Sequence, residues 1–553
     1  MTFKVSPDSK SENKYILQAS KQNQPRVSFR GIESVASYVC SQVQTNEIVG
    51  ATAVDAVSMV IPRTYIDFTR SPDAGRETLI RETSGTAINC VAPGFVAAGV
   101  GWLLGKFIKP ELKINTALPV DSDTLEMLND SWKKANCHEF WEKGTNKKQV
   151  VQRYAEHVLN NTEGLVGEKW IPFSEKTDEV KNIAGEIADF VIRKKKASRK
   201  ELKNIKEKLV QILGASESIK VVSDNKKTLE ITSDRLINGM HDVCREIHTK
   251  VEPNKLNHAM EKITEISKKK SVIGLGIITA LAIAQQAVNR YITKKRTGSD
   301  AFVGLSEESR KNSDSNKKTS KTKFYIAKAL SVGALLSIAS ATIAASVNPK
   351  KIWQTLGNSK NLIKKLEFNS MWPSLNQLRF VYAAMVIGRM IAATDKHELR
   401  ETDTRDIPGF LNWLVLGGFV SKGVGKWLSK GELINTSKAQ EGKGVWAAVK
   451  QFFGNESLIS HAEIDARKGL SEAAKRTLKL KLSGSIFAGL AYSTLALGLF
   501  MPILNKHITN KLTAKKKPQD KPNPENAATI SFNSTNNDVF ADFIKTQQRF
   551  KKA

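Results

Sequence analysis

Four stretches of the chain run without a charged side chain for about the thickness of a lipid bilayer: Thr83–Gly105, Ser271–Asn289, Ala329–Pro349 and Leu482–Asn505. A helix rises about 1.5 Å per residue, so some 20 residues cover a hydrocarbon core of about 30 Å. In lipid every backbone polar group must be paired within its own segment, which makes these stretches helices. They are rich in Ala, Gly, Ser, Leu and Ile, with small residues at Gly94/Gly99, Gly101/Gly105 and Gly333/Ser337, a spacing that lets helices approach. Lys268–Lys270 precedes the second stretch, and Tyr291, Lys294, Lys295 and Arg296 follow it, as interfacial anchors do. Three weaker segments accompany them: Val49–Pro62 with Asp55 inside, Phe380–Thr394 with Arg389 inside, and Ile407–Ser421, uncharged but short for a span.

The segments recur in order, which points to an internal duplication. Met59-Val60-Ile61-Pro62-Arg63, Leu79-Ile80-Arg81-Glu82-Thr83, Pro93-Gly94-Phe95, Gly105-Lys106 and Ile114-Asn115-Thr116 form the first series. Met385-Val386-Ile387-Gly388-Arg389, Leu399-Arg400-Glu401-Thr402, Pro408-Gly409-Phe410, Gly425-Lys426 and Ile434-Asn435-Thr436 form the second. Any one match is weak; their collinear order is the signal. Each copy carries three apolar segments and Ala329–Pro349 lies between them, a 3+1+3 arrangement. If the middle helix spans, the copies run parallel about an axis along the membrane normal; if it does not, they are inverted.

The expected fold class is all-α: a polytopic membrane protein with a duplicated unit and an inserted basic helical domain. Expected boundaries are a polar arm (1–44), the first repeat (45–117 and 271–298), the inserted domain (118–270), a linker (299–323), a linker helix (324–350), the second repeat (375–515) and a polar tail (516–553). In the inserted domain, Asp121 to Asp123 can cap Thr124–Lys134, Ser174 a helix running past Ile192, and Ser198 the helix Arg199–Leu213. Leu202, Ile205, Leu209 and Ile212 give that last helix one apolar stripe, and Thr228–Lys250 and Lys255–Lys269 read as further helices. No sustained alternation marks a sheet. Residues 1–30 are polar and basic with no apolar run, so no cleaved secretory peptide is expected.

Charge narrows the partners. Lys and Arg number 85 against 55 for Asp and Glu, a net charge of +30 that calls for an anionic surface. The densest basic run, Arg193, Lys194, Lys195, Lys196, Arg199 and Lys200, suits anionic lipid headgroups or another polyanion. No aromatic residue interleaves it to stack bases, which disfavours nucleic acid. The tail, with Val539, Phe540, Phe543 and Ile544 beside Arg549, Lys551 and Lys552, suits a short amphipathic helix for lipid or a protein partner.

Candidate sites follow from the same logic. Pro93-Gly94 and Pro408-Gly409 place helix-loosening pairs at matching points of the two copies, where a transporter would open a midplane site; a packing kink is the plainer reading. Arg63 and Arg389 occupy equivalent positions, with a shared polar cavity and snorkelling to the surface as alternatives. Arg81-Glu82 and Arg400-Glu401 form a second pseudo-symmetric pair, as a charge cluster or as solvated helix-end anchors. His241, Cys244 and His248 share one helix face as a weak metal set needing a fourth ligand, with Cys137-His138 nearest to hand. The four cysteines, Cys40, Cys90, Cys137 and Cys244, form no CxxC pair and no disulfide framework. No phosphate loop, GxSxG, HExxH or catalytic carboxylate pair is present, so neither enzyme activity nor a cofactor is expected. The functional expectation is an integral membrane scaffold or interaction protein engaging anionic lipid. A small-solute transporter or channel is the alternative, and a soluble helical nucleic-acid-binding protein the second. The expected location is a multi-pass membrane position with the basic domain cytoplasmic, although Lys and Arg flank both ends of several spans.

Overall fold

A computed structural model describes most of residues 55–504; residues 1–51, 299–320 and 509–553 and several shorter loops, 193–198 among them, lie outside the described residues. The chain is mostly helical. A π-helical segment at Asp55–Val60 leads into α1 (Ile61–Phe68). Ser71 then caps α2 (Pro72–Thr86), accepting from the Ala74 amide at 3.1 Å. A second π segment, Ala87–Val91, carries α2 without a break into α3 (Ala92–Ile108).

The chain then forms a region of mixed helix and strand that opens with α4 (Ser122–Lys134), capped by Asp121, then α5 (Cys137–Glu142) and α6 (Lys147–Asn160). Strands β1 (Thr162–Val166) and β2 (Lys169–Pro172), helices α7 (Thr177–Ile192) and α8 (Arg199–Leu213), and strands β3 (Ser218–Val222) and β4 (Thr228–Thr232) follow. The strands make an antiparallel sheet in the order β2-β1-β3-β4, pairing Gly164 with Ile219 and Ile219 with Ile231. The sequence reading missed this sheet and ran one helix through 228–250. In the structure β4 occupies the start of that stretch, and Thr232 caps α9 (Ser233–Val243). Strands of four or five residues give no alternation long enough to register. The domain core gathers Leu125, Leu128, Trp132, Tyr154, Ile187, Leu236 and Ile247 around the sheet and helices.

Helix α10 (Leu256–Thr297) joins this domain to the apolar helices as one uninterrupted rod. Its buried stripe runs the whole length, from Leu256, Ala259 and Ile263 through Ser271, Ile278 and Ala282 to Asn289 and Thr293. Its exposed face changes character along the way. Asn257, His258, Glu261, Lys268 and Lys269 are exposed before Lys270; from Val272 to Val288 every exposed residue is apolar, Ala or Gly; Tyr291, Lys294, Lys295 and Arg296 are exposed beyond. That apolar band is about 25 Å long at 1.5 Å per residue.

The remaining helices are α11 (Lys321–Ile343), α12 (Pro349–Gly357), α13 (Ser359–Leu366) and α14 (Leu375–Ala392). Then come α15 (Lys396–Leu411), a π segment at Asn412–Leu416 and α16 (Gly417–Ser429). Short strands β5 (Ile434–Thr436) and β6 (Glu456–Leu458) pair around α17 (Val445–Gly454). Helix α18 (His461–Ala466) leads to α19 (Glu472–Ser493) and a last π segment, Thr494–Phe500.

Five helical runs are long and apolar enough to cross a membrane: 72–107, 256–297, 321–343, 398–429 and 472–504. The stretch Ile407–Ser421, judged short from sequence, belongs to the fourth of these, because α15, its π segment and α16 are continuous. Only 17–39% of each apolar window is buried against the rest of the chain. Helix α11 is the extreme case: Leu335, Ala339 and Ile343 form one buried stripe, while Tyr325, Ile326, Leu330 and Leu336 are exposed. Phe95, Phe107, Phe487 and Phe500 are each more than half exposed on other runs. Apolar faces of this extent are consistent with helices that cross a membrane.

Contacts fix the directions. The Lys270 side chain reaches the Leu118 carbonyl and Gly101 packs on Thr116 and Lys270, so α3 ends beside the inserted domain. Arg296 pairs with Asp73 at 2.9 Å, placing the start of α2 at the opposite end. Helix α14 starts near the domain, with Gln377 bonded to the Leu366 carbonyl, and ends where Arg290 pairs with Glu398. Helix α11 runs the other way, with Lys328 on the Ile391 carbonyl and Thr342 accepting from Arg379. The runs α2–α3 and α15–α16 thus point towards the domain end, and α10 points away from it.

Candidate functional site

At the heart of the apolar helices sits a cluster of buried charges. Arg63 on α1, Arg81 and Glu82 on α2, Arg389 on α14, and Arg405 and Asp406 on α15 are all under a tenth exposed. Arg389 Nη1 donates to Asp406 Oδ2 at 3.0 Å, and Arg405 Nε donates to Asp406 Oδ1 at 2.9 Å. Glu82 faces two guanidinium groups, Arg81 Nη2 at 3.3 Å and Arg63 Nη1 at 3.5 Å. Arg63 Nε also donates to the Leu497 carbonyl at 3.4 Å. Buried Asp55 accepts from the Thr86 hydroxyl. A buried charge costs several kcal/mol to desolvate, and Glu82 and Asp406 each face two guanidinium groups that offset this cost.

The cluster brings together Arg63, which faces Glu82 and the Leu497 carbonyl, and Arg389, which pairs with Asp406. Neither snorkels: each is only 3% exposed. The Arg81-Glu82 pair is buried in the cluster as one alternative had it. Arg400 and Glu401 are half-buried on α15, and the part their sequence match suggested is taken by Arg405 and Asp406, about a turn further on. The residue match and the helical register differ by that turn, which is why the sequence passed over the second pair.

Pro408 lies inside α15 and its carbonyl accepts from Asn412 Nδ2 at 2.8 Å, so the run continues through its π segment rather than opening. Gly409 borders the cluster: a Cβ there would stand 3.3 Å from the Tyr382 hydroxyl and 3.7 Å from Arg63 Nη2. Pro93 and Gly94 follow the π segment of the first run and are buried in α3. Both pairs therefore adjoin π segments, wide turns that accumulate at functional sites. Beside Arg405, the gap between Glu398, Glu401 and Thr402 is too narrow for water.

The other sequence candidates lie apart. His241 contacts Phe190 and Asp242, whereas Cys244 Sγ faces His248 Nδ1 at 3.5 Å. His248 is stacked on Trp132, ring centroids 3.7 Å apart, and burial drives its pKa down to about 3, so it is neutral. Burial likewise raises the Cys137 thiol to about 12 and lifts that of Cys244. Among the described residues no three His, Cys, Asp or Glu side chains converge as a metal set. Of the basic run, Arg193, Lys194, Lys195 and Lys196 lie outside the described residues, and Arg199 and Lys200 open α8. The tail segment Val539 to Ile544 also lies outside them. Comparison of the chain with family models, curated proteins and solved structures gives no match.

Proposed function

We propose that this chain is an integral membrane scaffold, holding a folded helical domain rigidly at one face of the bilayer and engaging anionic lipid there. The observation that carries the reading is α10, whose outward face passes from charged to wholly apolar at Lys270–Ser271 while its inward stripe continues unchanged. A rod shared by a water-facing core and a lipid-facing one transmits position without a hinge. The junction is tied on several sides: Ser267 Oγ donates to the Val120 carbonyl at 2.7 Å, and the Ser122 amide and hydroxyl both donate to Glu367.

The duplication belongs to this proposal. Two parallel sets would each consist of a leading helix, a helix–π–helix run and a long third helix, with α11 crossing between them. Reciprocal packing supports it. The Asp55–Phe68 segment rests on the last π segment, with Ser58 and Thr494 hydroxyls 2.7 Å apart; α14 rests on α10, where Gly388 meets the Ile283 backbone. Leading helix on the other set's third helix is the exchange expected of two related halves.

A solute transporter is the second reading, favoured by the charge cluster where the two sets meet, since intramembrane ionisable residues commonly line a pathway. Purified chain in sealed liposomes tests both. The scaffold reading expects chloride and carboxyfluorescein leak equal to that of empty liposomes and co-purified lipid enriched in anionic phospholipid. Solute flux lost on replacing Pro93-Gly94 and Pro408-Gly409 would establish the transporter instead.

A further inference from the structure

We infer that α12 and α13 form an in-plane anchor that binds the headgroups of anionic phospholipid on the domain side of the bilayer. The inference rests on the membrane reading above and gives its lipid contact a place. The chain emerges from α11 and re-enters at α14, and the segment 344–366 between them contains no Asp or Glu but five lysines: Lys350, Lys351, Lys360, Lys364 and Lys365. The two helices repeat one pattern ten residues apart. Ile352, Trp353 and Leu356 fall at positions four, five and eight of α12, and Leu362, Ile363 and Leu366 at the same positions of α13. That spacing puts each apolar trio on one helix face, with lysines on the flanks.

The level of this segment is fixed independently. Leu366 is buried against the apolar helices, the Phe368 amide donates to Ser271 Oγ at 3.1 Å, and Lys364 pairs with Asp123 at the mouth of the inserted domain. Ser271 is where the exposed face of α10 turns from charged to apolar. The segment therefore lies at the boundary between water and lipid, not above it. There Trp353 is 76% exposed, and Lys350 on the same helix and Lys360 and Lys365 on the next are exposed. An indole at that depth seats in the headgroup region, and lysines flanking it meet phosphate and carboxylate groups of anionic lipid. At the same end Lys106 lies 4.0 Å over the exposed Trp102 ring of α3.

Full-length chain in nanodiscs, followed by amide exchange of residues 349–366, tests this. Exchange is expected to be at least about tenfold slower in discs with roughly one third phosphatidylserine than in phosphatidylcholine discs. The triple change Lys350→Glu, Lys360→Glu, Lys365→Glu should abolish the difference, and the corresponding three Lys→Arg changes should retain it. Equal exchange in both discs overturns the anchor while leaving membrane insertion intact; failure of the chain to enter discs at all overturns the membrane reading instead. A difference that survives the triple charge reversal, or protection of phosphatidylcholine discs by soluble glycerophosphoserine, also overturns it.

Discussion

Asp406 is the residue on which the charge cluster turns, because it pairs with Arg389 and Arg405 together. Replacing it by Asn removes the nearest counter-charge from two buried guanidinium groups, and Asp406→Asn is expected to cost about 3–5 kcal/mol, read by denaturation in detergent. A loss below about 1 kcal/mol would mean water reaches the site. His248 makes the packing around it sensitive to acid. Its folded pKa of about 3 lies below the ordinary value near 6.5, so between these limits the unfolded chain binds the extra proton. Stability should therefore fall as pH drops below about 6.5, by about 2 kcal/mol from this group between pH 7 and pH 5. Wild type and His248→Phe compared by pH-dependent unfolding should differ by that slope. At this scale the sequence singled out Arg63, Arg389, Arg81 and Glu82 by their repetition. Arg405 and Asp406 escaped because their pairing depends on helix rotation, which letter matching does not measure.

Helix packing explains which glycines matter. Gly388 faces the Ile283 backbone, and an added Cβ would stand 2.8 Å from both its Cα and its carbonyl oxygen. Backbone of a packed helix yields little, so Gly388→Ala is expected to destabilise by about 1–3 kcal/mol. Gly99 has nothing within 4 Å of such a Cβ, and Gly99→Ala should be neutral or stabilising by up to about 1 kcal/mol. Equal effects of the two changes in thermal unfolding would show that α14 and α10 are not in contact as described. The small-residue spacing in the sequence identified helices made for close approach, but not their neighbours: Gly101 and Gly105 receive Thr116 of the following strap, and Gly333 receives nothing within 4 Å. Long apolar runs and caps such as Asp121 were legible because they are local. The sheet was not, since its short strands are specified by partners distant in sequence, as Thr162 is by Val221.

On the scale of the whole molecule, the proposal rests on one rod, α10, whose exposed face turns from charged to apolar and back along its length. Composition alone argues for an anionic partner and excludes a chain mostly buried in lipid, and both fit a protein divided between water and membrane. What composition could not convey is that one buried stripe on α10 continues behind both kinds of exposed face. Spin labels placed singly along its exposed face measure this directly, through collision with oxygen, which partitions into lipid, and with a water-soluble nickel chelate. Labels at Val272, Ile277, Leu281 and Val288 should be accessible to oxygen and shielded from nickel, with the preference reversed at Glu261, Lys268 and Lys294. Nickel accessibility along the entire face, or shielding from both reagents between 272 and 288, would contradict a lipid-solvated helix.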